Sequence, residues 1–180
     1  MKTLNKAILA LGISSVLAVS ANAAITYGSL TSGQPYVGLK AGQIDIDGVP
    51  GKATAYGIYG GYNFDQNLGV EVEYIDSKNK NYTTSAGSYK ADAKTYGIYG
   101  TYRYNFNNTP VYAKGKLGLA KTDVEKKQLN GASTVKSNTT GLAGGVAVGF
   151  NATPNVSLEA GFNYLDSNAN MGSVGAHLKF

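Results

Sequence analysis

Large apolar side chains alternate with small or polar ones along most of the chain from Gln34 to Phe180. No ten-residue stretch there has the three-and-four spacing of an amphipathic helix, and a period of two is typical of strands with one apolar face. Eight alternating segments occur, and they are Val37–Ala41, Tyr56–Phe64, Leu68–Tyr74, Tyr96–Phe106, Val111–Leu119, Leu142–Phe150, Val156–Tyr164 and Val174–Phe180. The pattern therefore predicts an all-β protein with eight strands.

The connections between these segments alternate in length. Tight turns follow the even-numbered strands, and they are Asp65–Asn67, Asn107–Pro110 and Asn151–Asn155. Longer polar loops follow the odd-numbered strands, and they are Asp45–Ala53, Ile75–Lys94, Lys121–Thr140 and Leu165–Gly172. Short turns at one end and long loops at the other are typical of outer-membrane barrels.

The composition of the two strand faces indicates which face meets lipid. A soluble core would leave the opposite face rich in lysine and glutamate, but here that face is mostly glycine and alanine with few charges. Strands span a bilayer only as a closed barrel, because every backbone polar group must be paired there. We therefore predict an eight-stranded antiparallel up-and-down transmembrane β-barrel with its bulky apolar side chains in lipid. A soluble ligand-carrying barrel of eight strands is the alternative.

Outward aromatic residues should collect in two girdles at the membrane interfaces. The girdle residues predicted near the turns are Tyr62, Phe64, Tyr102, Tyr104, Phe106 and Phe150. Those predicted near the loops are Tyr56, Tyr74, Tyr96, Phe162 and Tyr164. The outward positions between them are mostly aliphatic residues or glycine, so the aromatic residues are sorted by depth as a membrane requires.

The first 23 residues have the parts of a secretory signal peptide. A lysine-containing start precedes a mainly apolar stretch over Ala7–Val19, and the small residues Ala21–Ala23 form a cleavage site. The apolar stretch is shorter than the roughly 20 residues of a transmembrane helix, which argues against a membrane anchor. We predict a signal peptide at residues 1–23 and a barrel domain at residues 24–180.

Composition narrows the classes of function. Charged residues make up 15% of the chain and glycine 24 of 180 residues, against about 25% charged residues and about 7% glycine in soluble domains. There is no cysteine, so disulfides and cysteine-ligated metals are excluded. Removal of the two lysines of the predicted signal peptide lowers the formal charge from +5 to +3, which is too small to indicate nucleic-acid binding. Asp45 and Asp47 lack the further acidic ligands of a calcium loop, so we expect a solvated turn, no metal and no cofactor.

Three segments rich in glycine and tyrosine resemble those of a known family. They are Tyr36–Gly42 and the near duplicates Tyr56–Phe64 and Tyr96–Phe106. They are similar to the small eight-stranded outer-membrane proteins of Gram-negative bacteria, namely the opacity-type surface antigens, the OmpX/Ail group and the OmpA transmembrane domain. Leu178 and Phe180 resemble the signal that barrel-assembly machinery recognises. The resemblance implies a monomer in the outer membrane, with lipid, lipopolysaccharide and the assembly machinery as partners.

Ionisable residues at inward positions should pair across the lumen, because an unpaired buried charge is costly. The interior charge network predicted from these positions is Lys40, Glu71, Glu73, Arg103, Lys114, Lys116, Glu159 and Lys179. Glu71 and Glu159 resemble the interior glutamates of OmpA-type barrels, where such a network can act as a gate. An eight-stranded interior is just wide enough for side chains to fill, so a stabilising plug and a small gated channel both remain open.

Surface interaction is the leading hypothesis for function, and enzyme activity is not expected. A lipid-modifying barrel needs a histidine, a serine and a carboxylate converging near the outer leaflet, but the only histidine, His177, is placed near the periplasmic rim as a wet residue. The loops Ile75–Lys94 and Lys121–Thr140 each carry four lysines and two acids. Their candidate ligands are lipopolysaccharide phosphates and host surface or serum factors, and the alternative is a hydrated loop face without a single ligand. The family resemblance implies an adhesin or serum-resistance role.

Overall fold

The structure is a computed structural model that describes residues 33–47, 51–78, 80–84, 87–128, 134–166 and 169–180. Nine strands lie in this part of the chain, and they are β1 (Gln34–Ile46), β2 (Ala53–Asn63), β3 (Leu68–Ser77), β4 (Lys80–Thr84), β5 (Gly87–Asn105), β6 (Val111–Gln128), β7 (Thr134–Asn151), β8 (Val156–Asp166) and β9 (Ala169–Lys179). The predicted signal peptide, residues 1–23, lies outside the described residues. None of the residues that are described forms a helix long and apolar enough to cross a membrane.

Eight of these strands close into an antiparallel barrel, as predicted. Apart from β4, each strand pairs with the next along the chain, so that β3 pairs with β5, and β1 pairs with β9 to complete the ring. The short strand β4 pairs with Gly87–Ala91 at the start of β5, so it lies beyond the end of β3 and not in the ring. Closure leaves no sheet edge within the ring, which is the condition for strands in lipid.

Tight turns join the strands at one end of the barrel, which we call the turn end, as predicted. In the turn between β2 and β3, Asp65 Oδ1 accepts hydrogen bonds from the backbone N–H groups of Leu68 and Asn67, both at 2.7 Å. These bonds hold the pKa of the Asp65 carboxyl below its usual range. In the next turn Asn108 has a φ of 57°, a left-handed conformation that asparagine tolerates.

At the opposite end the prediction of long loops is largely wrong. Strands β5, β6 and β7 contain 19, 18 and 18 residues and run through most of the predicted second and third loops. Far along this ladder, Lys127 still pairs with Lys90 on one side and Thr134 on the other. The extension, which we call the outer sheet, consists of β4 with residues 87–94, 121–128 and 134–140. The outward side chains that are described there, such as Lys94, Lys121 and Asn138, are polar. The apolar-outward alternation of the rest of the barrel is therefore absent from these described positions.

The face of the strands that carries the apolar side chains changes along the length of the barrel. Near the turn end the outward side chains are apolar, and Leu39 and Val146 are 58% and 67% exposed. Further along β1 the outward positions become Gln43 and Asp45, whereas Ile44 points inward and is fully buried. The barrel therefore has an apolar band on its outer surface, and beyond that band it is polar outside and apolar inside.

Candidate functional site: lumen and outer sheet

Six ionisable side chains form a connected chain of ion pairs inside the barrel. We call it the lumen network, and its members are Lys40, Glu71, Glu73, Lys114, Lys116 and Glu159. The Glu71 carboxylate is at the centre and binds Lys114 Nζ at 3.0 Å and Lys116 Nζ at 3.2 Å. The Tyr36 hydroxyl donates a further hydrogen bond to Glu71 at 2.9 Å. Three carboxylates balance three ammonium groups, so the network buries no net charge.

Lys114 and Lys116, the two lysines beside Glu71, each bind a second carboxylate as well. Lys116 binds Glu73 at 2.5 Å, and Glu73 also binds Lys40. Lys114 binds Glu159 at 2.7 Å. Every member is at most one-tenth exposed at its side chain. Removal of any one carboxylate would leave buried ammonium groups short of a partner, which is the costly case for buried ion pairs.

Arg103 and Lys179, which were predicted to belong to this network, do not join it. The Arg103 guanidinium lies over the ring of Tyr112, with Cζ 4.4 Å from the ring centroid. Lys179 Nζ donates to Asn151 Oδ1 at 2.8 Å. Among the described residues, no carboxylate oxygen lies within 4.0 Å of either cation. The two residues are at the ends of β5 and β9 nearest the turns, below the network.

Four buried tyrosines, which the sequence pattern alone did not mark as site residues, lie in the remaining lumen. They are Tyr36, Tyr59, Tyr99 and Tyr112. Each stands directly across the strand ladder from a glycine, and these partners are Gly61, Gly38, Gly118 and Gly149. A Cβ atom at Gly149 would overlap the Tyr112 ring, so the glycine provides the space that the ring occupies. Tyrosine opposite glycine on inward positions is the sequence signal that could have identified this layer.

His177 points into the interior near the turn end, as predicted, but it is not exposed to solvent as expected of a wet residue. His177 is 1% exposed, and its Nδ1 lies 3.1 Å from the hydroxyl of Tyr59. Ser157, which pairs with it in the strand ladder, is fully buried and donates its hydroxyl to Asn151 at 2.7 Å. The hydroxyl of Ser157 therefore bonds to an amide oxygen, whereas a serine nucleophile needs its hydroxyl on a general base. The described residues also contain no group of three acidic or histidine side chains suited to a metal ion.

An apolar layer fills the lumen on the side of the network away from the turns, where the outer sheet begins. We call it the apolar cap, and its buried members are Ile44, Ile46, Ala53, Ala55, Ile75, Ala91, Ala93, Leu165, Ala169 and Met171. The prediction of small inward residues with a few ions missed this layer. A cavity of about 20 Å³ remains beside the network, which is room for about one water molecule. The lumen is thus closed by an ionic layer and an apolar layer in series.

The residues predicted to form the aromatic girdles lie on the outer surface of the barrel. Nine of the eleven are largely exposed, whereas Tyr56 and Tyr74 are half-buried by their neighbours. The rings of Tyr74 and Tyr96 are in contact, with centroids 5.0 Å apart. Leu178 pairs with Val37, and Phe180 is 69% exposed. The placement is compatible with lipid contact, and the roles of these residues in anchoring and assembly stay predictions.

Charged side chains cover the outward face of the outer sheet. Lys136 lies 3.4 Å from Glu125, and both are well exposed. Glu125 stands directly opposite Asp92 in the ladder. Partial burial and the neighbouring Glu125 charge raise the pKa of the Asp92 carboxyl. The sheet also has an uncovered side, because β7 pairs with β8 only from Gly144 onward, so residues 134–143 bond to β6 alone among the described strands.

Comparison with solved structures shows the same fold. Neisserial surface protein A is 22% identical with a TM-score of 0.62, covering 82% of this chain and 97% of that one. Ail of Yersinia pestis, in complex with the heparin analogue sucrose octasulfate, is 22% identical with a TM-score of 0.57, covering 83% and 100%. The N-terminal β-barrel domain of Pseudomonas aeruginosa OprF is 16% identical with a TM-score of 0.59, covering 83% and 100%.

The sequence itself also matches a family. No curated protein sequence is significantly similar to the chain. Residues 9–180, however, match the family described as the outer membrane protein beta-barrel domain. This match covers the whole closed barrel. The chain therefore belongs to the outer membrane protein beta-barrel domain family and is an integral protein of the outer membrane.

Proposed function

We propose that the protein is a sealed barrel that acts at the cell surface through its outer sheet, in an adhesin-like or serum-resistance-like role and not as an enzyme. The observation that carries the proposal is the contrast between a lumen closed by two layers and three strands that continue beyond the apolar band. In this family the short turns face the periplasm and the opposite end faces the outside. The outer sheet is therefore the part of the described molecule that is available to external partners.

The charge of the outer sheet favours an anionic ligand. By sequence it carries seven lysines and three acids, a net charge of +4. Lys94, Lys121 and Lys136 are exposed on its outward face. Sulfated or phosphorylated glycans carry the complementary charge, and Ail, which shares the fold, was solved with a heparin analogue. We propose that host glycans of the heparin type, or lipopolysaccharide phosphates, bind to this face.

The experiment replaces the lysines of this face and measures binding. We expect a Lys94→Gln, Lys121→Gln, Lys136→Gln triple variant to bind immobilised heparin and host cells about 10-fold more weakly, since each lysine contributes a fraction of the 1.4 kcal/mol that a factor of ten represents. Lys52→Gln, outside the outer sheet, is the control. A parallel measurement on lipopolysaccharide vesicles separates the two sources of anion. Unchanged binding to all three surfaces would leave the proposal without support.

The gated channel is the competing function, and the apolar cap argues against it. Opening the ion pairs of Glu71 or Glu159 would still leave a layer of buried aliphatic side chains across the lumen, and apolar constrictions block ions by excluding water. We expect the wild type, Glu71→Ala and Glu159→Ala all to be silent in planar bilayers. A large, steady conductance in the wild type, or conductance that changes in either variant, would support the channel instead.

Export and assembly complete the proposal. We propose that residues 1–23 are removed on export and that Leu178 and Phe180 form the signal read by the barrel-assembly machinery. Mass spectrometry of the protein from outer membranes should give a chain that begins at Ala24. Phe180→Ser should lower the amount of folded barrel in the membrane, whereas the exposed Val174→Ser on the same strand is the control.

A further inference from the structure

We propose that the turn end of the lumen binds a phosphate-class oxyanion between Arg103 and Lys179. This site lies at the opposite end of the barrel from the outer sheet and does not depend on the surface function. Arg103 and Lys179 are both more than nine-tenths buried, at 6% and 7% exposure. Within the part of the chain that the structure describes, no carboxylate oxygen lies within 4.0 Å of either cation. Buried cations without counter-charges are costly, so a bound anion would supply the missing charge.

The contrast with the lumen network makes this pair unusual. Each of the three network lysines binds at least one carboxylate, and the three acids are all used there. Glu159, the acid nearest the turn end, already accepts hydrogen bonds from Lys114 and from the Tyr112 hydroxyl, each at 2.7 Å. The described interior therefore has an excess of two positive charges, and both lie on the periplasmic side of the network.

The free donors of Arg103 have the geometry that an oxyanion requires. Nε and Nη2 of its guanidinium are buried, and neither has a hydrogen-bond partner among the residues that the structure describes. These two nitrogens share one edge of the group and donate in parallel, which matches two oxygens of a phosphate or sulfate. The Tyr112 ring beneath the guanidinium holds its plane in place, with Cζ 4.4 Å from the ring centroid. The arrangement is a preorganised fork that lacks its acceptor.

Further donors surround the same end of the lumen. Asn63 Nδ2 is also buried and has no partner in the described ranges. Asn63 pairs with Gly69 in the strand ladder, and Gly69 pairs with Thr101, two residues from Arg103. Lys179 Nζ uses one donor on Asn151, and an ammonium has three. In the ring of eight strands β5 and β9 lie opposite each other, so Arg103 and Lys179 approach the lumen axis from opposite walls. An anion on that axis would meet donors from both sides.

The occupant is either free phosphate from the periplasm or the phosphate of a lipid headgroup that reaches over the rim. The test uses the full barrel refolded in a sugar-based detergent without phosphate. Inorganic phosphate and pyrophosphate are titrated against chloride at equal ionic strength, and binding is followed by ³¹P NMR and calorimetry. A second arm adds phosphatidylglycerol in place of phosphate. Saturation by inorganic phosphate identifies a free-anion site, and saturation by lipid alone identifies a headgroup site.

Variants link the binding to the two cations. Arg103→Gln should weaken phosphate binding about 10- to 100-fold, because two charge-assisted hydrogen bonds are lost. Arg103→Lys keeps the charge but not the fork and should retain only part of the affinity, and Lys179→Gln should lose about 10-fold. If Arg103→Gln does not fold, the affinities of Arg103→Lys and Lys179→Gln test the proposal instead. Lys52→Gln, which removes an exposed lysine elsewhere, should bind like the wild type. No saturable binding of either probe, or equal binding in all variants, would overturn the proposal.

Discussion

The apolar band and the part of the barrel beyond it, which includes the outer sheet, follow the same strand alternation with the apolar and polar faces exchanged. On β3, Val72 points outward into lipid and is 56% exposed, whereas Ile75, three residues later, points inward and is fully buried. The backbone ladder does not change between these positions. What changes is the surrounding solvent, because lipid accepts apolar side chains and water does not. The position along a strand at which the apolar residues move to the inward face therefore indicates where the membrane ends.

The lumen also differs between the two regions, and its polarity is the reverse of that of the outer surface. Inside the apolar band the lumen holds paired charges, and inside the next layer it holds the apolar cap. Ion pairs occur in both regions, but those of the lumen network are buried, whereas the pair of Lys136 and Glu125 is exposed to water. Because desolvation sets the consequences of breaking a pair, the same type of substitution should have very different effects in the two regions.

The largest effect is expected for the ion pairs themselves. Glu71→Ala should lower the free energy of unfolding by about 3–5 kcal/mol, because it leaves Lys114 and Lys116 buried with one carboxylate fewer each. Glu125→Ala, which breaks an exposed pair on the outer sheet, should cost about 0–1 kcal/mol. Urea unfolding of both variants in phospholipid vesicles checks the difference. Equal losses would mean that the lumen network is solvated like a surface pair.

The apolar cap offers a second comparison. Ile75→Ala should lower the free energy of unfolding by about 2–5 kcal/mol, because it leaves a cavity among buried side chains. Ile58→Ala, on the lipid-facing side of β2, should cost less, since lipid chains fill the space. The same vesicle assay measures both variants. If the two losses are the same, the cap does not form a packed core.

A charge on the outer surface tests the position of the membrane boundary. Leu117→Arg, at an outward position of the apolar band on β6, should cost about 2–4 kcal/mol in vesicles if it lies near the midplane. Asn138→Arg, at an outward position of the outer sheet on β7, should be nearly neutral because it stays in water. A large loss of unfolding free energy in Asn138→Arg would mean that the outer sheet lies within the membrane. It would contradict the exchange of apolar and polar faces described above.

The smallest effect is a pH response of opposite sign at the two ends. The pKa of Asp65 is lowered, so its stabilisation of the turn is present above its unfolded pKa and is lost as pH falls through the folded value. The pKa of Asp92 is raised, so its contribution is present at low pH and lost as pH rises through the folded value. Hydrogen exchange, corrected for the intrinsic rate, should therefore show weaker protection at Leu68 and stronger protection around Asp92 on acidification. Asp65→Ala and Asp92→Asn should each abolish the response at their own end.

Much of the barrel could be predicted because strands with one lipid-facing side leave a local signature. Residues such as Leu39 and Val146 alternate with glycine and alanine, and this pattern is enough to predict eight strands and the face that meets lipid. The outer sheet escaped prediction because β5 to β7 continue on backbone hydrogen bonds after the apolar residues have moved to the inward face. Polar outward residues such as Lys94 and Asp123 look the same in a loop and in a water-exposed strand.

The amino-acid sequence by itself determined the family, the membrane-facing side and the inward charges, since each depends on a period of two along a single strand. Only the tertiary structure decided how those charges are used. Six of the eight predicted members meet in the lumen network, while Arg103 and Lys179 stay apart from it. Which inward side chains lie at the same height depends on how eight tilted strands are staggered when they close. That stagger is a property of the whole ring, and no single strand specifies it.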